Sequence, residues 1–246
     1  MFPIRDLNPS RGVAIVTITI IVLNVLAFAV WQPHGDLAAE TEFLYQRATV
    51  ACEVTSFAPI SARDLDLGRC VDDQAPPIFP DKNIALAVLT SIFLHGGWLH
   101  LLGNMWFLWI FGDNIEEAFG HLGFVLLYLV AGVGATLGFA VLHATNVDPL
   151  VGASGAIAGV LGAYLVLFPR GWVLAVWFLG IVPVPAVIFL GLWFIGQFSV
   201  ATEGVAWEAH VAGFLVGALI SLALRRPLLA GIRSPSRVSP RTWRTS

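Results

Sequence analysis

Ser154 and His210 are the two side chains of this sequence best suited to covalent chemistry. The serine lies in Gly152-Ala153-Ser154-Gly155, shortly after Pro149, a setting that suits the start of a helix. Backbone N–H groups there lack intrahelical partners. Together with the positive end of the helix they can stabilise an oxyanion formed beside the serine. His210 lies in Ala209-His210-Val211-Ala212-Gly213, with Gly217 four residues on, and a neutral imidazole is a ready general base. His100 and Asn104 stand four apart, so on a helix they share one face. All four fall inside apolar stretches, where a polar side chain is costly and calls for a reason. Packing is the alternative for each: a serine among glycines can simply let helices approach, and His and Asn can bond helix to helix.

Other catalytic chemistries fail on the string itself. There is no His-Glu-x-x-His, no Walker A loop and no dinucleotide fingerprint after a strand. Asp113 and Asp148 sit at the ends of apolar stretches, so no intramembrane acid pair is available. The Gly-x-Ser-x-Gly elbow of soluble hydrolases is not matched, because Ala156 occupies its last position. No acid is placed to orient His210, which favours a dyad over a triad. No metal or cofactor is called for.

The elements that must carry these residues follow from composition. Of 246 residues, 57% are hydrophobic and 12% charged, and mean hydropathy is +0.82. A soluble domain carries about 25% charged residues, so this chain belongs in a lipid bilayer. The net charge of −3 offers no basic field for nucleic acid. Charge-free stretches mark five spans, Val13–Trp31, Ile84–Gly112, Ala118–Val147, Pro149–Pro169 and one within Gly171–Thr202 (Trp172–Phe194, then a short loop), and Gly204–Leu224, which carries one acid, Glu208, marks a sixth. None alternates as a membrane strand would, so the expected fold is an all-α membrane protein, a bundle of six transmembrane helices. Arg5 and Arg11 precede the first span, Arg170 follows the fourth, and Arg225, Arg226, Arg233, Arg237, Arg241 and Arg244 follow the sixth. The positive-inside rule makes that side cytoplasmic. The expected organisation is a cytoplasmic N-terminus (1–12), a six-span domain (13–226) with an external loop (32–83), and a flexible cytoplasmic tail (227–246).

Ser154 and His210 then lie near the external ends of the fourth and sixth spans, at similar depth. Gly155, Ala158, Gly159, Gly162 and Ala163 on one, and Gly213 and Gly217 on the other, permit the close helix approach that a Ser–His hydrogen bond requires. Ala27-Phe28-Ala29 after Arg5 and Arg11 imitates a signal-peptide cleavage site. The 19-residue apolar run exceeds a signal core of about 7–15 residues, so the span is expected to be retained. Cys52 and Cys70 both lie in the external loop, as a disulfide or as two thiols. Pro183 and Pro185 interrupt the fifth span, bending it or giving it mobility for lateral substrate entry.

The ordered pattern Thr90-x4-His95-Gly96-Gly97-Trp98-Leu99-His100-x3-Asn104, Gly112-x3-Glu116-x3-Gly120, Gly152-Ala153-Ser154-Gly155 and Ala209-His210-x2-Gly213-x3-Gly217 resembles the rhomboid intramembrane serine proteases. The resemblance runs from about Thr90 to Leu224. It implies Ser154 as nucleophile and His210 as general base, with His100, Asn104 and the Ser154 N–H as the oxyanion hole. Glu116 would be a structural acid, and Gly152, Gly155, Gly213 and Gly217 motif or packing positions. It further implies transmembrane proteins as substrates and a multi-pass location in a bacterial inner (plasma) membrane with both termini cytoplasmic. Three positions depart from the pattern. Leu86 and Ala87 stand where many members have Trp-Arg, and Ala158 stands where an aromatic ring often stacks on the histidine, so something else must hold His210. A non-catalytic binder of transmembrane segments would be indifferent to Ser154. A transporter would show repeated halves, which this sequence lacks.

Overall fold

A computed structural model describes residues 1–8, 10–71, 75–177, 180–198 and 205–233. The C-terminal part of the expected tail, with Arg237, Arg241 and Arg244, lies outside them, as does the segment 199–204. Helices dominate. In chain order they are α1 (Ile15–Leu26, continued by a π turn Ala27–Trp31), α2 (Leu37–Arg47), α3 (Ala51–Ser56), α4 (Ala62–Leu67), α5 (Ile84–Ser91), α6 (Trp98–Leu142), α7 (Ser154–Leu167), α8 (Ala186–Gln197), α9 (Trp207–Ala223) and α10 (Arg225–Arg233).

One described helix, α6, is long and apolar enough by itself to cross a membrane; α9 meets that test only together with Arg225–Gly231, from which it is bent by 73°. The α6 run is two helices joined at Gly120, whose φ of 71° and ψ of 166° are not helical. Only glycine takes up that conformation without a Cβ penalty. The segments 98–119 and 121–142 are each about 22 residues long, close to the ~20 a crossing needs.

Two expectations are corrected, that of a helical fifth span and that of a flexible tail. Trp172–Phe194 is not one helix. Trp172–Trp177 (β4) and Gly180–Pro185 (β5) form an antiparallel pair, extended on the β4 side by Phe2–Asp6 (β1). Two aromatic and two β-branched residues in Trp-Val-Leu-Ala-Val-Trp favour an extended chain. Pro183 and Pro185 lack the N–H a helix needs, and they stand on the edge strand, where proline is tolerated. Helix resumes at Ala186, immediately after Pro185. The strand pairing also brings the arginine-bearing N-terminus beside the segment that follows Arg170. The second correction concerns the start of the tail: Arg225–Arg233 is helical, and Leu228 and Leu229 pack against the core.

The 32–83 loop is itself folded. Cys52 and Cys70 form a disulfide, with Cα atoms 5.9 Å apart. Val50, Cys52, Ile60 and Val147 make a small separate core. Lys82 and Glu53 form a buried ion pair at 2.5 Å; burial pushes the glutamate up and the lysine down from their ordinary pKa ranges, and the contact opposes both shifts. Thr49–Val50 (β2) pairs with Pro149–Leu150 (β3), four residues before Ser154. Thr90 Oγ donates to the Arg47 carbonyl at 2.5 Å, and the Thr49 N–H donates to Ser91 Oγ at 2.6 Å. The loop is thus fastened to both segments that approach the candidate site.

At the opposite end, α1 is preceded by Ala14, which has no capping side chain. Glu116 of α6 supplies the cap. Its carboxylate accepts the N–H of Val16 (2.9 Å), the N–H of Thr17 (2.7 Å) and the Thr17 hydroxyl (2.7 Å), satisfying donors every helix start leaves open. His121 Nδ1 lies 2.6 Å from the same carboxylate. The structural role implied for Glu116 by the resemblance thus has a physical basis here.

The centre of the bundle is α7 packed between α6 and α9. A Cβ on Gly213 would strike the Gly155 carbonyl oxygen, and one on Gly217 the Gly159 carbonyl oxygen. A Cβ on Gly155 would come within 2.5 Å of Ala135 Cβ. These obstacles are mostly backbone, which cannot rotate aside. Gly217→Ala is therefore expected to lower the detergent melting temperature, with a cost at or above the ~1–3 kcal/mol usual for overpacking. Gly191→Ala on α8, where nothing lies within 4 Å, is the matched control and should change little. Equal melting temperatures for the two variants would refute this account of the α7–α9 contact.

Candidate active site

Ser154 is the first residue of α7 and His210 the fourth of α9. The glycine-lined contact sets the two helices close enough for their side chains to meet: His210 Nε2 lies 2.8 Å from Ser154 Oγ. Both line a cavity of about 990 Å³, together with His100, Asn104, His143, Gln197 and Glu208. The four polar side chains singled out in the sequence therefore share one space.

Ser154 opens its helix without a capping side chain, since Ala153 precedes it. The first N–H groups of α7 are thus the donors that a helix start leaves without intrahelical partners. Gly152 turns the chain into this start with φ of +132°, and a Cβ there would fall 2.9 Å from both Cε1 and Nε2 of His100. Glycine at 152 is required twice over, by backbone conformation and by the imidazole against it. The Gly152 N–H donates to the Ser91 carbonyl at 3.0 Å, which anchors the turn to the segment that also holds the 32–83 loop.

His100 and Asn104 lie on the first turns of α6, facing this cavity. The Gly96 N–H donates to His100 Nδ1 at 3.4 Å. That nitrogen is then an acceptor, so Nε2, beside Gly152, carries the proton and is a donor. Asn104 is 8% exposed, and its Nδ2 has no hydrogen-bond partner among the described residues. A buried amide donor without a partner is costly in a finished fold, and this one borders the cavity that contains the serine. The stretch His95–Gly97 that precedes α6 is held by Gln32, which exchanges two hydrogen bonds with the His95 backbone (2.9 and 3.0 Å).

Sequence reasoning missed two residues. Gln197 Oε1 lies 2.7 Å from His210 Nδ1, and the Trp193 ring stands 6.3 Å from the imidazole, centroid to centroid. Both come from α8, one turn apart. They occupy the role left open by Ala158, which is fully buried in the core. Gln197 is the one amide in the apolar run of α8, so the cost of a polar group in such a run was the available signal. Glu208, two residues before the histidine, does not orient it; its carboxylate bonds His143 Nε2 at 2.9 Å.

A family model described as "Rhomboid domain" matches residues 83–227. Among curated proteins, the chain is 31% identical over 154 residues to "RHOMBOID-like protein 5" of Arabidopsis thaliana, covering 62% of this chain and 48% of that one. It is 36% identical over 152 residues to "Rhomboid-like protease 5" of Toxoplasma gondii, covering 58% and 16%. It is 34% identical over 142 residues to "Rhomboid protease GluP" of Bacillus subtilis, covering 57% and 26%. The aligned region spans about half or less of the length of these relatives. With the family model matching more than half of its length, the chain belongs to the rhomboid family.

Proposed function

We propose that this chain is an intramembrane serine endopeptidase, a six-span protein that hydrolyses peptide bonds in or near the transmembrane segments of other membrane proteins. The observation that carries the reading is the 2.8 Å contact between Ser154 Oγ and His210 Nε2 inside a cavity whose wall also holds His100, Asn104 and Gln197. The word "protease" in the names of the Toxoplasma and Bacillus relatives supports the same activity.

His210 Nε2 takes the hydroxyl proton as Ser154 Oγ attacks the scissile carbonyl. The carbonyl oxygen becomes an oxyanion, received by the Ser154 N–H, Asn104 Nδ2 and His100 Nε2, donors that need not reorganise as charge develops. Collapse breaks the C–N bond, and His210 returns its proton to the leaving amine. Water then attacks the acyl-serine through the same base, regenerating the hydroxyl and releasing the acid. The polar side chains on the cavity wall give that water a place in an otherwise dry medium. A substrate helix hides its carbonyls in its own hydrogen bonds, so it must unwind locally, and helix-breaking residues near the cleaved bond should assist.

The test is cleavage of a reconstituted single-span substrate in liposomes. A new fragment is expected with the unmodified protein, formed faster when a glycine pair replaces helix-forming residues beside the cleavage point. Folded protein that yields no fragment from a panel of such substrates would overturn the reading.

A further inference from the structure

The dyad has a third member on a third helix. We infer that Gln197 is the positioning residue for the base, holding His210 in the one tautomer that can accept the serine proton; this rests on the serine-protease reading above.

The hydrogen-bond directions along the chain of groups follow from what each can do. Gln197 Nε2 lies 3.1 Å from the Trp193 backbone carbonyl oxygen. A carbonyl oxygen only accepts, so the amide NH₂ must face it. Gln197 Oε1 is thereby turned toward His210 Nδ1, 2.7 Å away. Oε1 has no proton to give, so Nδ1 must carry one. A neutral imidazole with its proton on Nδ1 has its lone pair on Nε2, the atom 2.8 Å from Ser154 Oγ. The series Ser154 → His210 → Gln197 → Trp193 carbonyl is a one-way run of donors ending on backbone, and its direction makes Nε2 the base. The opposite tautomer would set a protonated Nε2 against the serine and two lone pairs against each other at Nδ1. Serine proteases of the triad type obtain the same control from a carboxylate. A neutral amide does it here without placing a charge beside the histidine.

The placement on α8 adds a consequence. Its inner residues Phe189 and Leu190 are buried, whereas Val187, Ile188, Leu192 and Ile195 face outward. The orientation of the base therefore depends on that inner face staying docked against α7 and α9.

The experiment compares Gln197→Met, which keeps size and removes the acceptor, with Gln197→Glu, which restores one. Turnover is expressed per active site, counted by fluorophosphonate titration, on a reconstituted substrate. Gln197→Met should lower kcat roughly 10- to 100-fold, a share of the ~10²–10⁴ that a positioned base contributes. KM and melting temperature should stay unchanged, and Gln197→Glu should recover part of the loss. In ¹⁵N-histidine spectra, the His210 signal, identified by its loss in His210→Ala, should change from a protonated Nδ1 and bare Nε2 to a tautomer mixture in Gln197→Met. An unchanged kcat and unchanged tautomer in folded Gln197→Met would overturn the inference. So would a loss of melting temperature with kcat per site intact, the mark of packing alone. Ser154→Ala in the same assay separates the two levels: an active Ser154→Ala would overturn the protease reading itself, whereas an inactive one beside a fully active Gln197→Met would overturn only the role of Gln197.

Discussion

Ser154→Ala and His210→Ala should each remove cleavage of a reconstituted transmembrane substrate, with a loss on the order of 10⁴–10⁶ in kcat. The size follows from their joint action. Without the hydroxyl there is no acyl intermediate, and without Nε2 the hydroxyl keeps its proton and remains a poor nucleophile. The contact of 2.8 Å between them makes one unit of the pair, so the double variant should be no slower than either single one. Both side chains lie on the cavity wall, and neither is used to close the α7–α9 contact, which rests on glycines. Melting temperatures of the variants should therefore stay close to that of the parent protein. Additive losses from the two substitutions would mean that serine and histidine act independently, contrary to the proposed mechanism.

Asn104→Ala should lower kcat by ~10²–10³, the usual effect of losing one oxyanion donor. The side-chain amide is buried and, among the described residues, unpartnered at Nδ2, so its removal takes away no hydrogen bond they make to that nitrogen. A donor aimed at the developing oxyanion acts on the transition state, and its removal should leave KM nearly unchanged. His100→Ala should show a smaller defect, because water can enter the vacated space and donate instead. The competing role is scaffolding between helices. It predicts a large drop in melting temperature with normal kcat per active site, and that result would take both residues out of the catalytic account.

The candidate site was legible in the sequence because the membrane makes polar residues expensive. Ser154, His210, His100 and Asn104 stood out against apolar surroundings, and all four line one cavity. The glycine spacing likewise announced which helices would meet, since Gly155, Gly159, Gly213 and Gly217 have no use for a side chain in that contact. Gln197 obeyed the same logic yet stayed hidden. The fifth span was placed at Trp172–Phe194, which left Gln197 in a loop beyond it. The actual helix runs Ala186–Gln197 because residues 172–185 form a hairpin. Hydropathy alone does not separate a strand of Trp and Val from a helix of Leu and Ile; the two prolines carried the distinction. The Cys52–Cys70 pairing was open for another reason. It depends on how α3 and α4 of the 32–83 loop pack over Val147, which follows α6, a long-range contact that no local pattern encodes.

The central claim is that Ser154 is an activated nucleophile and not a packing residue, and covalent labelling tests it most directly. The purified protein, in detergent, is exposed to a fluorophosphonate, which reacts with a serine hydroxyl only where a base and an oxyanion site assist it. The account predicts one adduct per chain, mapped by mass spectrometry to the peptide containing Gly152-Ala153-Ser154-Gly155, and no adduct in Ser154→Ala or His210→Ala protein of equal melting temperature. An unlabelled Ser154 in folded protein, or equal labelling when His210 is replaced, would contradict it.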